Sequence, residues 1–89
     1  MTTEKNKTIF EEAEQLINGK RREEYGPVLE SFTHIANLWS QVLNIDITPQ
    51  QVAQCMIAFK LHRECNKHKR DNLVDICGYT RLLGMLENE

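Results

Sequence analysis

Glycine and proline are scarce in this chain, with four and two residues among 89. So few chain breakers exclude a collagen-like repeat or a Pro/Gly-rich disordered segment, and they leave long stretches in which helices can form. The three cysteines, Cys55, Cys65 and Cys77, are an odd set without CxxC spacing, which argues against a disulfide framework. Cys55 and Cys77 stand among apolar neighbours and read as buried, reduced thiols that pack as small hydrophobes. Cys65, taken with His62 and His68, lacks a fourth ligand and matches no closed zinc module. No apolar run approaches the roughly 18–20 residues that span a bilayer. The opening MTTEKNKTIF has no signal-peptide core, so a cytoplasmic location is expected. Nor does one sign of charge dominate: 11 Lys and Arg face 13 Asp and Glu, for a formal net charge of −2. That balance disfavours broad electrostatic binding to nucleic acid while allowing a local basic patch.

What the chain does have is apolar residues at helical spacing. Thr8 to Asn18 places Ile9, Ala13, Leu16 and Ile17 on one face, with Thr8 and Glu11 as a capping box and Gly19 suited to the position after the helix. A charged connection, Lys20 to Gly26, comes next. The second helix opens at Pro27 and carries Val28, Phe32, Ile35, Ala36 and Trp39, with Val42 and Leu43 completing the stripe. Thr48-Pro49-Gln50-Gln51 supplies an N-cap, a first-turn proline and a second capping box. The stripe there is Val52, Cys55, Met56, Phe59. The last helix begins near Asp71 and carries Leu73, Ile76, Leu82, Leu83 and Leu86. No window alternates with period two. The expectation is a single all-α domain over 1–89, with helices about 8–18, 27–44, 49–66 and 71–87 in an up-and-down four-helix bundle. The stripes are broader than a small bundle buries, so a homodimer or higher oligomer is expected to complete the core.

The informative residues are polar ones beside these stripes. Asp71 and Asp75 are one turn apart on the last helix. Asp75 lies between Leu73-Val74 and Ile76-Cys77, where a carboxylate is costly unless a cation meets it. Lys60 and Arg63 border the apolar face of the third helix. Glu30, His34, Asn37 and Gln41 line one side of the second, where a solvated face is the plain alternative. Asp71 also suits a helix start as a dipole partner. Lys67-His68-Lys69-Arg70 reads as a solvated loop or as the rim of a phosphate site.

In order along the chain, Tyr25-Gly26-Pro27, Ile35-Ala36-Asn37-Leu38-Trp39, Lys60-Leu61-His62-Arg63 and Asp71-Asn72-Leu73-Val74-Asp75-Ile76-Cys77-Gly78-Tyr79 resemble a small phage and prophage family of uncharacterised domains. That family is similar to the all-α nucleoside triphosphate pyrophosphohydrolases (MazG-like). The resemblance covers roughly residues 9 to 86. It implies a helical site in which carboxylates hold Mg²⁺ against a triphosphate and a metal-bound water attacks it. Asp75 falls on the aspartate of the family's ExxD, and Asn72 replaces its glutamate, with Asp71 adjacent. The family's ExxE has no match; the facing row offers Glu30 and His34. The implied assignments are Asp71 and Asp75 as catalytic groups, with Asp71, Asp75, Glu30 and His34 as ligands of Mg²⁺. Lys60, Arg63, Asn72 and Tyr79 would bind substrate, the first two at its phosphates.

The leading expectation is thus a phage-type MazG-like protein of the host cytoplasm that binds a nucleotide or other phosphate ligand. With the carboxylate set incomplete, Mg²⁺-dependent pyrophosphohydrolysis and binding without turnover both stay open. The alternative is a non-catalytic helical interaction protein that binds a host protein or sequesters a nucleotide signal.

Overall fold

The structure is a computed structural model that describes residues 7–18 and 28–87, with Asn18, Val28 and Leu29 described by their backbone. The charged connection and the Tyr25-Gly26-Pro27 turn lie outside the described residues. Four helices and no strands occur among those described: α1 (Ile9–Asn18), α2 (Val28–Leu43), α3 (Pro49–Asn66) and α4 (Arg70–Glu87).

Both helices with a Thr-x-x-Glu/Gln start are capped as the spacing predicts. Thr8 Oγ1 accepts from the Glu11 amide at 3.1 Å while Glu11 Oε1 accepts from the Thr8 amide at 3.1 Å. Thr48 and Gln51 repeat the exchange at 3.1 and 2.9 Å, with Pro49 in the first turn. Each box satisfies amides that the helix geometry leaves orphaned. At the other end of α2, Asn44 takes a left-handed φ of 57°, a conformation asparagine tolerates better than branched residues. Ser40 then accepts from the Ile47 amide at 2.8 Å and donates to the Ala36 carbonyl at 2.7 Å, which folds the connection back against α2.

Helix α4 is the central element, packed against α3 along one side and α1 along another, while α2 lies mainly on α3. Phe32 and Ala36 of α2, Val52 and Ala53 of α3 and Leu86 of α4 form the buried cluster, with Ile35, Trp39, Tyr79, Leu82 and Leu83 packed around it. Ala13 and Ile17 of α1 and Val74 of α4 are buried outside that cluster. Arg70 pairs with Glu12 and donates to the Lys7 carbonyl at 2.8 Å, and Arg81 Nε lies 3.2 Å from Glu14. These ion pairs are solvent-facing and orient α1 more than they stabilise it. No described helix is long and apolar enough to cross a membrane.

Several apolar positions depart from the stripes. Val42 and Leu43 are 81 % and 57 % exposed, because the α2 face that meets α3 ends at Trp39 and Ser40. Cys55 is exposed and Cys77 half-buried, so neither thiol is the sealed core residue expected. Phe59 is 48 % exposed. The inward face of α3 runs instead through Val52, Ala53, Met56, Ile57, Lys60 and Glu64.

Glu64 closes the α3–α4 turn. Its Oε1 accepts from the Lys69 amide at 3.0 Å and from Asn72 Nδ2 at 3.2 Å, and Oε2 pairs with His68 Nδ1. The His68 hydrogen bond and then the Lys69 amide hold this carboxyl below its ordinary value of 4.5 against the opposing effect of burial, with a lesser contribution from the Asn72 side chain. A depressed carboxyl contributes stability above its unfolded value and loses it as pH falls through the folded one. The wild type is therefore expected to lose melting temperature as pH falls below about 4.5. E64Q should melt lower than wild type at pH 7 and show a shallower acid decline when both are followed by circular dichroism. A second expectation concerns Gly78, mid-α4, where an added Cβ meets nothing within 4 Å. Gly78→Ala should raise stability by about 0.5–1 kcal/mol in a urea melt, through the lower entropy of the unfolded chain.

Candidate functional site

The C-terminal turns of α3 and the first turns of α4 enclose a cleft of about 600 Å³. From α3 and the turn it is lined by Phe59, Lys60, His62, Arg63, Asn66, Lys67 and Lys69, and from α4 by Asp71, Asn72 and Asp75. The local sequence explains the placement. Lys60 and Arg63 are three apart and share one side of the end of α3, and Lys67 follows at its C-cap with extended backbone. The Glu64 clamp then folds α4 back so that its first turns face them.

Lys60 Nζ lies 3.0 Å from Asp75 Oδ2, with side-chain exposures of 17 % and 24 %. This is the cation that the apolar neighbours of Asp75 require, and limited exposure makes the pair less screened than a surface pair. Lys60 and Arg63 both stand over the Phe59 ring, at 5.9 and 5.0 Å from its centroid, within the range of cation–π attraction. Among the described residues, Arg63, Lys67 and Lys69 have no carboxylate within ion-pair distance of their charged groups, whereas Lys60 has Asp75. Four Lys and Arg side chains thus line the cleft against two carboxylates, in a chain whose net charge is −2.

Five of the residues singled out in the sequence, Lys60, Arg63, Asp71, Asn72 and Asp75, meet in this cleft. Asn72 is 7 % exposed and its amide nitrogen is committed to Glu64, so it holds the turn from the cleft floor. Asp71 is exposed in the first turn of α4, where a carboxylate complements the helix dipole. Glu30, His34 and Tyr79 are not among the lining residues. Glu30 and His34 are exposed on α2, which meets α4 only slightly. Tyr79 turns to the core, its ring centroid 6.4 Å from that of Phe32. The aromatic surface of the cleft is Phe59. Its spacing from Val52, Cys55 and Met56 predicts a core position, because it continues their i, i+3, i+4, i+7 series.

The donor set does not fit the Mg²⁺ that the resemblance implies. Mg²⁺ takes a near-octahedral shell of hard oxygens, usually anchored by carboxylates. Asp75 is bound to Lys60, Glu30 and His34 lie on another helix, and no three His, Cys, Asp or Glu among the described residues are grouped to hold a metal. What the arrangement can do chemically is bind anions: Arg63 offers a planar fork and the lysines offer point charges, both suited to phosphate oxygens.

Comparison with known proteins places the chain. Residues 8–87 match the family described as Domain of unknown function (DUF6378). The Gene 55 protein of Mycobacterium phage L5 is 37 % identical over 82 residues, covering 90 % of this chain and 53 % of the phage protein. The Gene 55 protein of Mycobacterium phage D29 is 39 % identical over 75 residues, covering 83 % and 50 %. The chain thus spans about half the length of these curated relatives. No solved structure matches it. A family match over nearly the whole described chain, with phage relatives above a third identical, settles its kinship: it belongs to the DUF6378 family.

Proposed function

We propose that this domain binds a nucleotide in the α3–α4 cleft, its phosphates against Lys60, Arg63, Lys67 and Lys69 and its base against Phe59. The observation that carries this reading is the gathering of four cations beside an exposed aromatic ring, three of them without carboxylate partners among the described residues. Like charges placed together cost folding energy and stay only where something offsets them. The cleft volume of about 600 Å³ suits a ligand of nucleotide size, since small-molecule sites run from about 300 to 1,000 Å³. Phosphates neutralise the cations, and an aromatic face stacks any base without demanding a particular one. The MazG-like resemblance supports the same ligand class. The site works by binding: Arg63 and the lysines fix the phosphates, and no hydrolytic step is assigned to Asp71 or Asp75. Such binding would serve in the cytoplasm of the infected cell, where nucleotides are abundant.

Calorimetry separates base from phosphate recognition. Arg63→Ala is expected to weaken both a nucleoside triphosphate and inorganic tripolyphosphate about ten-fold, the value of one charge-assisted contact. Phe59→Ala should weaken the nucleoside triphosphate about ten-fold through lost stacking and tripolyphosphate by a clearly smaller factor, through loss of the ring beneath Lys60 and Arg63. Equal loss of both ligands in Phe59→Ala would exclude a base on that ring, and no binding of either by the wild type would exclude the reading.

A second reading, self-association, has its own observation. Leu38 and Val42 on one side of α2, and Ile45 in the connection just beyond it, are 48 %, 81 % and 60 % exposed. An apolar strip of this kind on a small helical domain suits burial against a second copy, which would complete the bundle. Light scattering is expected to give about twice the chain mass for the wild type, and Val42→Glu is expected to give the monomer mass. A monomeric wild type would leave the strip to a partner protein such as one from the host.

A further inference from the structure

On the nucleotide reading, the Lys60–Asp75 pair lies inside a phosphate site, and its geometry bears on how that site is tuned. Resting on that reading, we propose that Asp75 is a built-in competitor for phosphate: it holds the Lys60 ammonium, and a phosphate group must take that ammonium from it. Lys60 Nζ is 3.0 Å from Asp75 Oδ2, and both side chains line the cleft. Of the four cations there, Lys60 is the one with a carboxylate partner among the described residues. Its limited exposure keeps the attraction from being dissolved by water.

The exchange is mechanically simple. Asp75 has a short side chain on the rigid α4 helix, between Val74 and Ile76, and stays where it is. Lys60 has four rotatable carbons and can swing its ammonium toward an anion seated by Arg63. A phosphate brings at least as much charge as the carboxylate, and it gains Arg63 and Lys67 as well. Asp75 then remains beside the bound anion without its cation, and the two negative groups repel each other. Both effects have one sign: Asp75 weakens binding. A metal ligand, or a group that holds the substrate through a metal, has the opposite sign, because its removal weakens binding. The carboxylate thus sets a threshold that weakly charged anions fail to cross and oligophosphates overcome. It also keeps Lys60 ordered and neutralised within a half-buried wall of the cleft, which a lone ammonium there would destabilise.

The test measures dissociation constants for tripolyphosphate and for a nucleoside triphosphate by calorimetry, with EDTA present so that no divalent ion takes part. D75N is expected to bind tripolyphosphate about five- to ten-fold more tightly than wild type. K60Q is expected to bind it more weakly. In the K60Q background, adding D75N should tighten binding by a smaller factor than in the wild type, because the competition for the ammonium is gone and only the repulsion is relieved. D75S, smaller and also uncharged, carries the same expectation if D75N melts too low to assay. Wild-type binding that D75N or D75S leaves unchanged or weakens overturns the competitor role while the nucleotide reading stands. Binding by none of the proteins overturns the nucleotide reading itself. An equal tightening by D75N with and without Lys60 would reduce Asp75 to a distant repulsive charge and overturn the exchange.

Discussion

The geometry of this molecule turns on one carboxylate at the α3–α4 turn. Glu64 takes hydrogen bonds from the Lys69 amide and from the Asn72 side chain, and a charge-assisted bond from His68, so it ties the residue before α4 and a side chain of its first turn to the last turns of α3. A helix start otherwise needs its own capping residue. Here the amide just before α4 is satisfied from the preceding helix, and the same carboxylate closes the hairpin. The antiparallel register dictates the rest. One turn back from Glu64 is Lys60; one turn on from Asn72 is Asp75, and these two meet. Further along the same sides lie Val52 on α3 and Tyr79 and Leu83 on α4, within the core. The hairpin therefore grades from polar rungs at its tip to apolar rungs at its base.

That gradient explains why the cleft is where it is. Near the base, side chains of α2 fill the space beside the hairpin, Phe32 and Ala36 among them. At the tip no apolar layer of the described residues covers the inner rungs, and the flanking positions on α3 and the turn are basic. The Phe59 ring sits beneath Lys60 and Arg63, where it supports the cations without neutralising them. An aromatic face offers a modest attraction of about 0.5–1 kcal/mol at an exposed site, enough to bias the rotamers of long side chains and too little to hold them against a phosphate.

The same gradient decides what is legible in the sequence. The four helices are, from their apolar spacing, and the starts of α1 and α3 are sharper still, because the Thr8/Glu11 and Thr48/Gln51 spacings specify a hydrogen-bond exchange and not just a propensity. The need of Asp75 for a cation is legible too, since four apolar neighbours in the chain make the desolvation cost visible. The direction of α3 is not. Its apolar residues alone point along Val52, Cys55, Met56 and Phe59, whereas the inward face also carries Lys60 and Glu64. A hydrophobicity count reads those two as solvent-facing, and it turns the helix away from its actual seat, with Phe59 in the core and Cys55 sealed. Glu30 and His34 lie outside the cleft for a related reason. Their facing partner comes from a family pattern, while the contact between α2 and α4 is slight and their helix lies on α3. Side-chain spacing reports which residues share a face, but the neighbour of that face is set by packing across the whole chain.

Local and global preferences agree over most of this fold: caps, turn residues and the small core all specify the same arrangement. They disagree at the hairpin tip, where Arg63, Lys67 and Lys69 join Lys60 without carboxylate partners of their own among the described residues. A fold tolerates such a conflict when the same residues serve another purpose. Two devices limit its cost here. The Glu64 clamp keeps the tip closed against the repulsion, and the Asp75 carboxylate neutralises the most enclosed of the four charges. The three remaining cations stay on the solvent side, where water screens them until an anion arrives. Stability and readiness to bind are thus divided between two acidic residues, one on each side of the turn. Glu64 acts on the backbone and fixes the shape of the cleft; Asp75 acts on a mobile ammonium and leaves it exchangeable.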